Sequence, residues 1–222
     1  LRNHEDWHKL LITHELTHIF YLDRVRGLWA FGQRVFGRAA PLFPNSYAPR
    51  WITEGLAVHY ESRFGGGGRL AGTEFPLYAR AAALEGALPP LDALSIESPR
   101  FPGGNVAYLY GSFAITRADS ANMGRYVERA SGRLLPWRHD ANARDAFGVS
   151  FTQRWRAWRD SVTRAESGVG APTRTAAAAP LTPDGAATLT THGFTARFPR
   201  FTSDLTMVYV ANDAKQVTGL YS

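Results

Sequence analysis

His14-Glu15-Leu16-Thr17-His18 sets two imidazoles four residues apart around a carboxylate. In a helix, residues four apart share one face, so His14 and His18 can present two ring nitrogens to a single Zn²⁺. Glu15 sits beside that face, where it can take a proton from a metal-activated water as that water attacks a carbonyl. Chance gives such a pentapeptide in about 1% of chains of this length. A pair of hydrogen-bonded helical histidines is the competing reading. The helical setting favours the metal, as do Leu16, which can pack, and the small Thr17.

A catalytic zinc takes three protein ligands and keeps one position open. No third histidine follows His18 closely, and cysteine is absent, so the metal must be held by His and carboxylate. Glu54 is the candidate, in Trp51-Ile52-Thr53-Glu54-Gly55-Leu56-Ala57. A carboxylate in the first turn of a helix, followed by Gly55 and Ala57, lets two helices approach closely and would bring Glu54 to the metal. The alternative is an ordinary N-terminal glutamate favoured by the helix dipole.

These residues need helices to carry them. Apolar Leu10, Leu11, Ile19, Phe20 and Leu22 recur at helical spacing and predict a helix over 5–22. The Gly-, Pro- and aromatic-rich stretch from Gly27 to Pro49 reads as a loop with short helical turns. A second helix is predicted from Trp51 to Phe64, ended by the glycines of 65–68. A third spans Phe75 to Leu88, stopped by Pro89-Pro90, and a fourth Val106 to Asp119. Met123 to Ala130 and Ala141 to Phe147 are shorter. Ser150 opens a last helix as N-cap, with Gln153 completing a capping box and Phe151, Trp155, Trp158 and Val162 on the apolar face. Residues 168–187 are Ala, Pro, Thr and Gly with little to bury, the composition of a linker. From 188 onward the pattern turns strand-like, clearest in Thr206-Met207-Val208-Tyr209-Val210 before a turn at Asn212-Asp213.

Composition bounds the rest. The chain has 222 residues, is 45% hydrophobic and 20% charged, which fits a globular domain. No apolar run is long enough to span a bilayer. The formal net charge is +6, nearly all from arginine, since Lys9 and Lys215 are the only lysines. The arginines are scattered among Ala, Gly and Pro, the signature of GC-rich coding rather than of a nucleic-acid surface. The opening Leu1-Arg2-Asn3-His4 has neither Met nor a signal-like apolar segment, so the chain reads as a piece of a longer protein.

The two motifs together, His14-Glu15-Leu16-Thr17-His18 and Trp51-x-x-Glu54-Gly55-x-Ala57-x-x-Tyr60-Glu61, resemble the paired signature of gluzincin zinc metallopeptidases related to the M1 aminopeptidases. The bacterial peptidase MA-like metallohydrolases are more similar still. Their pattern is matched by Gly111 to Phe113, Gly124-Arg125-Tyr126, Phe147-Gly148-Val149-Ser150 and Trp155 to Trp158, so that the likeness covers about residues 5–165. The resemblance implies a mainly α, thermolysin-like catalytic domain over 1–167, with Zn²⁺ on His14, His18 and Glu54 and Glu15 as general base. It also implies an oxyanion role for a tyrosine, best matched by Tyr108; Tyr110 stands where the M1 family has Lys. Taken on their own, Tyr108 and Tyr110 share a predicted helix with Phe113, where aromatics usually pack. Residues 19–53 make a longer gap between the motifs than M1 aminopeptidases have. Either Gly27–Pro49 is an insertion or the third ligand is not Glu54. The M1 segment that captures a substrate amino terminus has no counterpart here, so that specificity does not carry over.

Other polar residues weigh less. His59, five residues past Glu54, points away from its face. His4 and His8 are four apart at a frayed start. Asp23 is either a partner that orients a ligand histidine or a solvated helix-end acid. Glu61 matches the family's distal glutamate, with a structural role. His139 falls in a loop as a candidate for oxyanion or substrate contact.

Phe198-Pro199-Arg200-Phe201-Thr202-Ser203-Asp204, followed by the strand-like 207–213 and Leu220-Tyr221, resembles a TolB-like β-propeller repeat. This implies a fragment of a blade over 188–222, an extracytoplasmic protein, periplasmic or secreted, and a possible protein partner through the rest of the propeller. Three function classes follow. The first is zinc-dependent hydrolysis of a peptide or protein substrate. The second is a catalytically degenerate metallohydrolase scaffold in a propeller-containing binding protein. The third is a basic nucleic-acid-binding module, for which no motif is found.

Overall fold

The computed structural model describes residues 7–65, 67–96, 102–116, 120–168, 195–204, 206–212 and 218–222. The chain divides into two compact units, one holding the described helices and the other the described strands. The mainly α expectation holds: nine α-helices stand against one small sheet among the described residues.

In the helical unit α1 spans Trp7–Leu22, α2 Gly27–Phe36 and α3 Arg50–Phe64. The single-turn α4 (Gly68–Ala71) leads to α5 (Glu74–Leu84), α6 (Val106–Thr116) and α7 (Ser120–Gly132). Then come α8 (His139–Phe147) and α9 (Phe151–Gly168). The capping box of α9 forms as expected: Gln153 N–H donates to Ser150 Oγ at 3.1 Å, and Ser150 N–H donates to Gln153 Oε1 at 3.1 Å.

Three boundaries differ from expectation. Residues 27–36 form a ten-residue helix, not a loop, and only 40–42 and 44–47 are short 3₁₀ turns. Leu28, Phe31 and Val35 keep helical spacing there, and Gly32 is tolerated inside because Leu42 packs over it. The third predicted helix ends at Leu84, before the prolines. Gly86 takes a left-handed φ of 65° there and donates its N–H to Ala83 O, while Ala87 N–H donates to Ala82 O. The shorter helices α7 and α8 begin two to three residues earlier than predicted, and α8 opens on His139. Residues 117–119 of the predicted fourth helix and 169–187 of the linker lie outside the described residues.

The core is aromatic and centres on α3, α6 and α9. Trp51 meets Phe151 edge to face with ring centroids 5.1 Å apart, and Phe113 stacks on Trp158 at 5.2 Å. Helices α3 and α6 touch backbone to backbone. A Cβ on Gly55 would come within 2.5 Å of the Gly111 carbonyl, and a Cβ on Gly111 would come closer still to the Trp51 carbonyl oxygen. This glycine pair sets how closely α3, which carries Glu54, approaches α6, which carries Tyr108.

The second unit holds β1 (Thr195–Phe201), β2 (Met207–Asn212) and β3 (Gly219–Tyr221) in an antiparallel sheet of order β1-β2-β3. The register shifts between Arg197 and Arg200, where Phe198 takes a positive φ of 56°. Thr202 and Thr206 close the β1–β2 turn by a backbone bond of 3.0 Å, and Asp204 accepts from the Thr202 hydroxyl. The predicted strand at 206–210 is β2; Asp213 lies outside the described residues.

Candidate metal centre

Helix α1 presents His14 and His18 on one face, their rings edge to face with centroids 4.9 Å apart. Helix α3 brings Glu54 opposite them. Its Oε2 lies 3.4 Å from His14 Nε2 and 3.4 Å from His18 Nε2. The three candidate ligand atoms all fall within 4.8 Å of one another. Glu54 Oε1, the other oxygen, faces Arg50 Nε at 3.6 Å.

This donor set fits zinc. With metal–ligand distances of about 2.0–2.1 Å, neighbouring ligands of a tetrahedral site stand about 3.4 Å apart. Both carboxylate–imidazole separations match that edge. Glu54 Oε2 is moreover buried, flanked by the two imidazoles at 3.4 Å but in no well-formed hydrogen bond, an anionic oxygen that a cation would satisfy.

A layer behind the candidate ligands orients them. Glu61 Oε2 accepts from His14 Nδ1 at 2.9 Å. A proton on Nδ1 leaves the Nε2 lone pair aimed at the Glu54 side. Arg69 grips Glu61 with two bonds, Nε to Oε1 and Nη2 to Oε2, each 2.7 Å. Its Nη2 also stands 3.1 Å from His14 Nδ1 because both share Oε2 as acceptor. Arg69 reaches this position through the turn at Gly68, whose φ of 73° suits glycine.

Burial pushes His14 towards neutrality, but its pairing with Glu54 and Glu61 outweighs burial and raises its pKa to about 9. Burial likewise favours the neutral acid in Glu54, yet the two imidazoles hold its carboxyl well below the usual carboxylate range. Glu61 is lowered in the same sense, burial being outweighed by His14 and Arg69.

Tyr108, on α6, lies near the centre: its ring stacks on His14 at 6.0 Å with 22° between planes. The guanidinium carbons of Arg50 and Arg69 stand 5.6 and 5.0 Å from its centroid. Glu15 is solvent-exposed on α1, about 100° around the helix from His14. Leu16, expected to pack, is exposed as well. Thr17 gives its hydroxyl to Thr13 O at 2.7 Å.

The remaining candidates sit elsewhere. Tyr110 is core, edge to face with Trp155, and burial, helped by Glu85, pushes its hydroxyl up to about 12. His139 is not in a loop but heads α8, between the Tyr126 hydroxyl at 3.3 Å and Tyr47 O at 3.4 Å. His59 faces Thr116, and His8 is exposed beside Trp7; His4 lies outside the described residues. Asp23 pairs with Arg38 at 2.9 Å, so the acid that orients a candidate ligand is Glu61. The sequence carries a signal for Glu61, which lies seven residues after Glu54 and hence on the same face of the helix. It carries no such signal for Arg69. No protein-family model, curated protein or solved structure matches the chain.

Proposed function

We propose that this chain is the catalytic part of a gluzincin-type zinc metallopeptidase, related to the peptidase MA-like and M1 groups, with a thermolysin-like helical domain. The observation that carries the reading is the convergence of His14 Nε2, His18 Nε2 and Glu54 Oε2, with Glu61 holding His14 from behind. His14, His18 and Glu54 would hold zinc, which when bound supplies a Lewis acid for a peptide carbonyl and an acidified water. Glu15, exposed beside the histidines, takes the proton of the attacking water and returns it to the leaving amine. Tyr108 donates its hydroxyl to the developing oxyanion, its ring held against His14 by Arg50 and Arg69. The C-terminal part of the reading, a propeller blade, is supported by the antiparallel meander β1-β2-β3. Extracytoplasmic placement rests on the two resemblances.

The test is zinc content and peptide hydrolysis measured together on the wild type and on Glu15→Gln. The expected result is about one zinc per chain in both, with hydrolysis of a fluorogenic peptide library reduced about 10²–10⁴-fold in the variant. Undiminished hydrolysis by the variant would sink the mechanism. Zinc without hydrolysis in either protein would favour a degenerate scaffold serving a binding protein.

A further inference from the structure

We infer that α2 is an interfacial anchor that docks the helical unit onto an anionic phospholipid surface. Leu28, Phe31 and Val35 fall on one face of α2 at i, i+3 and i+7, and Phe36 ends the helix. They are 66%, 63%, 55% and 76% exposed. An apolar helical stripe left in water marks a binding surface. One flank of α2 and the residue just before it are pinned to the domain. Trp29 Nε1 donates to Arg133 O at 2.8 Å, Arg26 N–H donates to Ser131 O at 2.9 Å, and Gly32 lies under Leu42. The stripe is therefore held outward on a fixed helix.

Charge selects the occupant. Between Asp23 and Glu54 the chain carries Arg24, Arg26, Arg34, Arg38 and Arg50 and not one acidic residue. Some of these meet acids from elsewhere: Arg24 and Arg26 share Glu128, and Arg38 meets Asp23. Arg34 stands exposed in the last turn of α2, beside the stripe. At the other end of α2, Arg26, Gly27, Arg129 and Arg133 line a cavity of about 530 Å³; Arg24 and Arg26 share Glu128 and Arg133 meets Asp145, so that four arginines there face two acids. An apolar stripe a few turns long with guanidinium groups at both ends matches the boundary between acyl chains and phosphate headgroups. A second copy of the chain fits less well, because α2 brings Arg34 and no acid to meet it. The exposed apolar residues of α1 sit in a different setting: Ile12, Leu16 and Ile19 flank Glu15, and Arg24, which lines a cavity with Leu16 and Phe20, is paired with Glu128.

The experiment is vesicle flotation of the whole chain, using phosphatidylcholine alone and phosphatidylcholine with about 30% phosphatidylglycerol, in low and high salt. The expected result is at least about tenfold stronger binding to the anionic vesicles, most of it lost in high salt. The double variant Leu28→Ser/Phe31→Ser and the charge variant Arg34→Glu/Arg129→Glu should each weaken that binding by about tenfold or more. Both leave the folded core untouched, which unchanged thermal melting would verify. Equal binding to neutral and anionic vesicles, or binding indifferent to both variants, would overturn the inference. So would the absence of vesicle binding together with a dimer in light scattering that Leu28→Ser/Phe31→Ser dissolves, since the stripe would then serve self-association. None of these readouts depends on zinc or hydrolysis.

Discussion

Glu61 Oε2 sits 2.9 Å from Nδ1 of His14, on the side of the ring away from Glu54. The contact fixes the tautomer of a candidate ligand, and Arg69 fixes Glu61 in turn. Removing such a partner lowers metal affinity by about 10–100-fold. Glu61→Ala is expected to weaken zinc binding by that factor in a chelator competition, while leaving one zinc per chain at saturation. Arg69→Ala should produce a smaller loss, because Glu61 keeps its bond to His14. Zinc affinity unchanged in Glu61→Ala would mean that His14 needs no orientation from behind.

In zinc-stripped protein the titration has a definite sign. His14 has its folded pKa raised from 6.5 to about 9, so its stabilising charge is fully present below pH 6.5 and is lost as pH rises through about 9. Glu54 and Glu61 have folded pKa values below 4.5, so their contribution is present above pH 4.5 and is lost as pH falls below it. Thermal melts of the stripped protein should therefore be highest between about pH 4.5 and 6.5 and decline on both sides. Zinc must displace the His14 proton, so near neutral pH its binding should release about one proton from that ring, measured by calorimetry in buffers of different ionisation enthalpy. A melting temperature that rises steadily from pH 6.5 to 9 would contradict the pairing of His14 with the two glutamates.

Legible in the sequence is whatever depends on local spacing. The four-residue step from His14 to His18 is helix geometry and holds on α1; Glu54 sits on α3 as expected, but as its fifth residue rather than in the first turn, because the helix starts at Arg50. The α9 capping box is local in the same way. Helix α2 reads as loop in the sequence because Gly27, Gly32 and Gly37 lower helix propensity. Its apolar face is the clue that outweighs them, and that face remains in solvent, where core reasoning does not look for it. Arg69 is illegible because its path back to Glu61 depends on the turn at Gly68, a matter of chain direction rather than period.

The glycine contact between α3 and α6 predicts a stability effect separate from metal chemistry. A Cβ at residue 111 would overlap the Trp51 carbonyl, and backbone cannot swing aside as a side chain does. Gly111→Ala should destabilise the protein by about 1–3 kcal/mol, despite the better helix propensity of alanine. For a chain of this size that is a drop of several degrees in melting temperature, roughly 2–4 °C per kcal/mol. Gly124→Ala in α7, where an added Cβ meets nothing within 4 Å, is the control and should be neutral or stabilising. If both variants melt alike, the close approach of α3 and α6 is wrong.

Tyr108 offers the test that separates chemistry from packing in the proposed site. Its ring lies against His14 and within 6 Å of two guanidinium groups, contacts that phenylalanine would keep. The hydroxyl alone can donate to an oxyanion, and deleting one such donor lowers kcat by about 10²–10³-fold. Tyr108→Phe is therefore expected to bind zinc as the wild type does, to melt within a degree or two of it, and to lose kcat with little change in KM. A variant with unchanged kcat would make Tyr108 a packing residue that braces His14 and Arg69. A loss confined to zinc affinity would assign it the same bracing role, since an oxyanion donor acts on the substrate and leaves the ligands where they are.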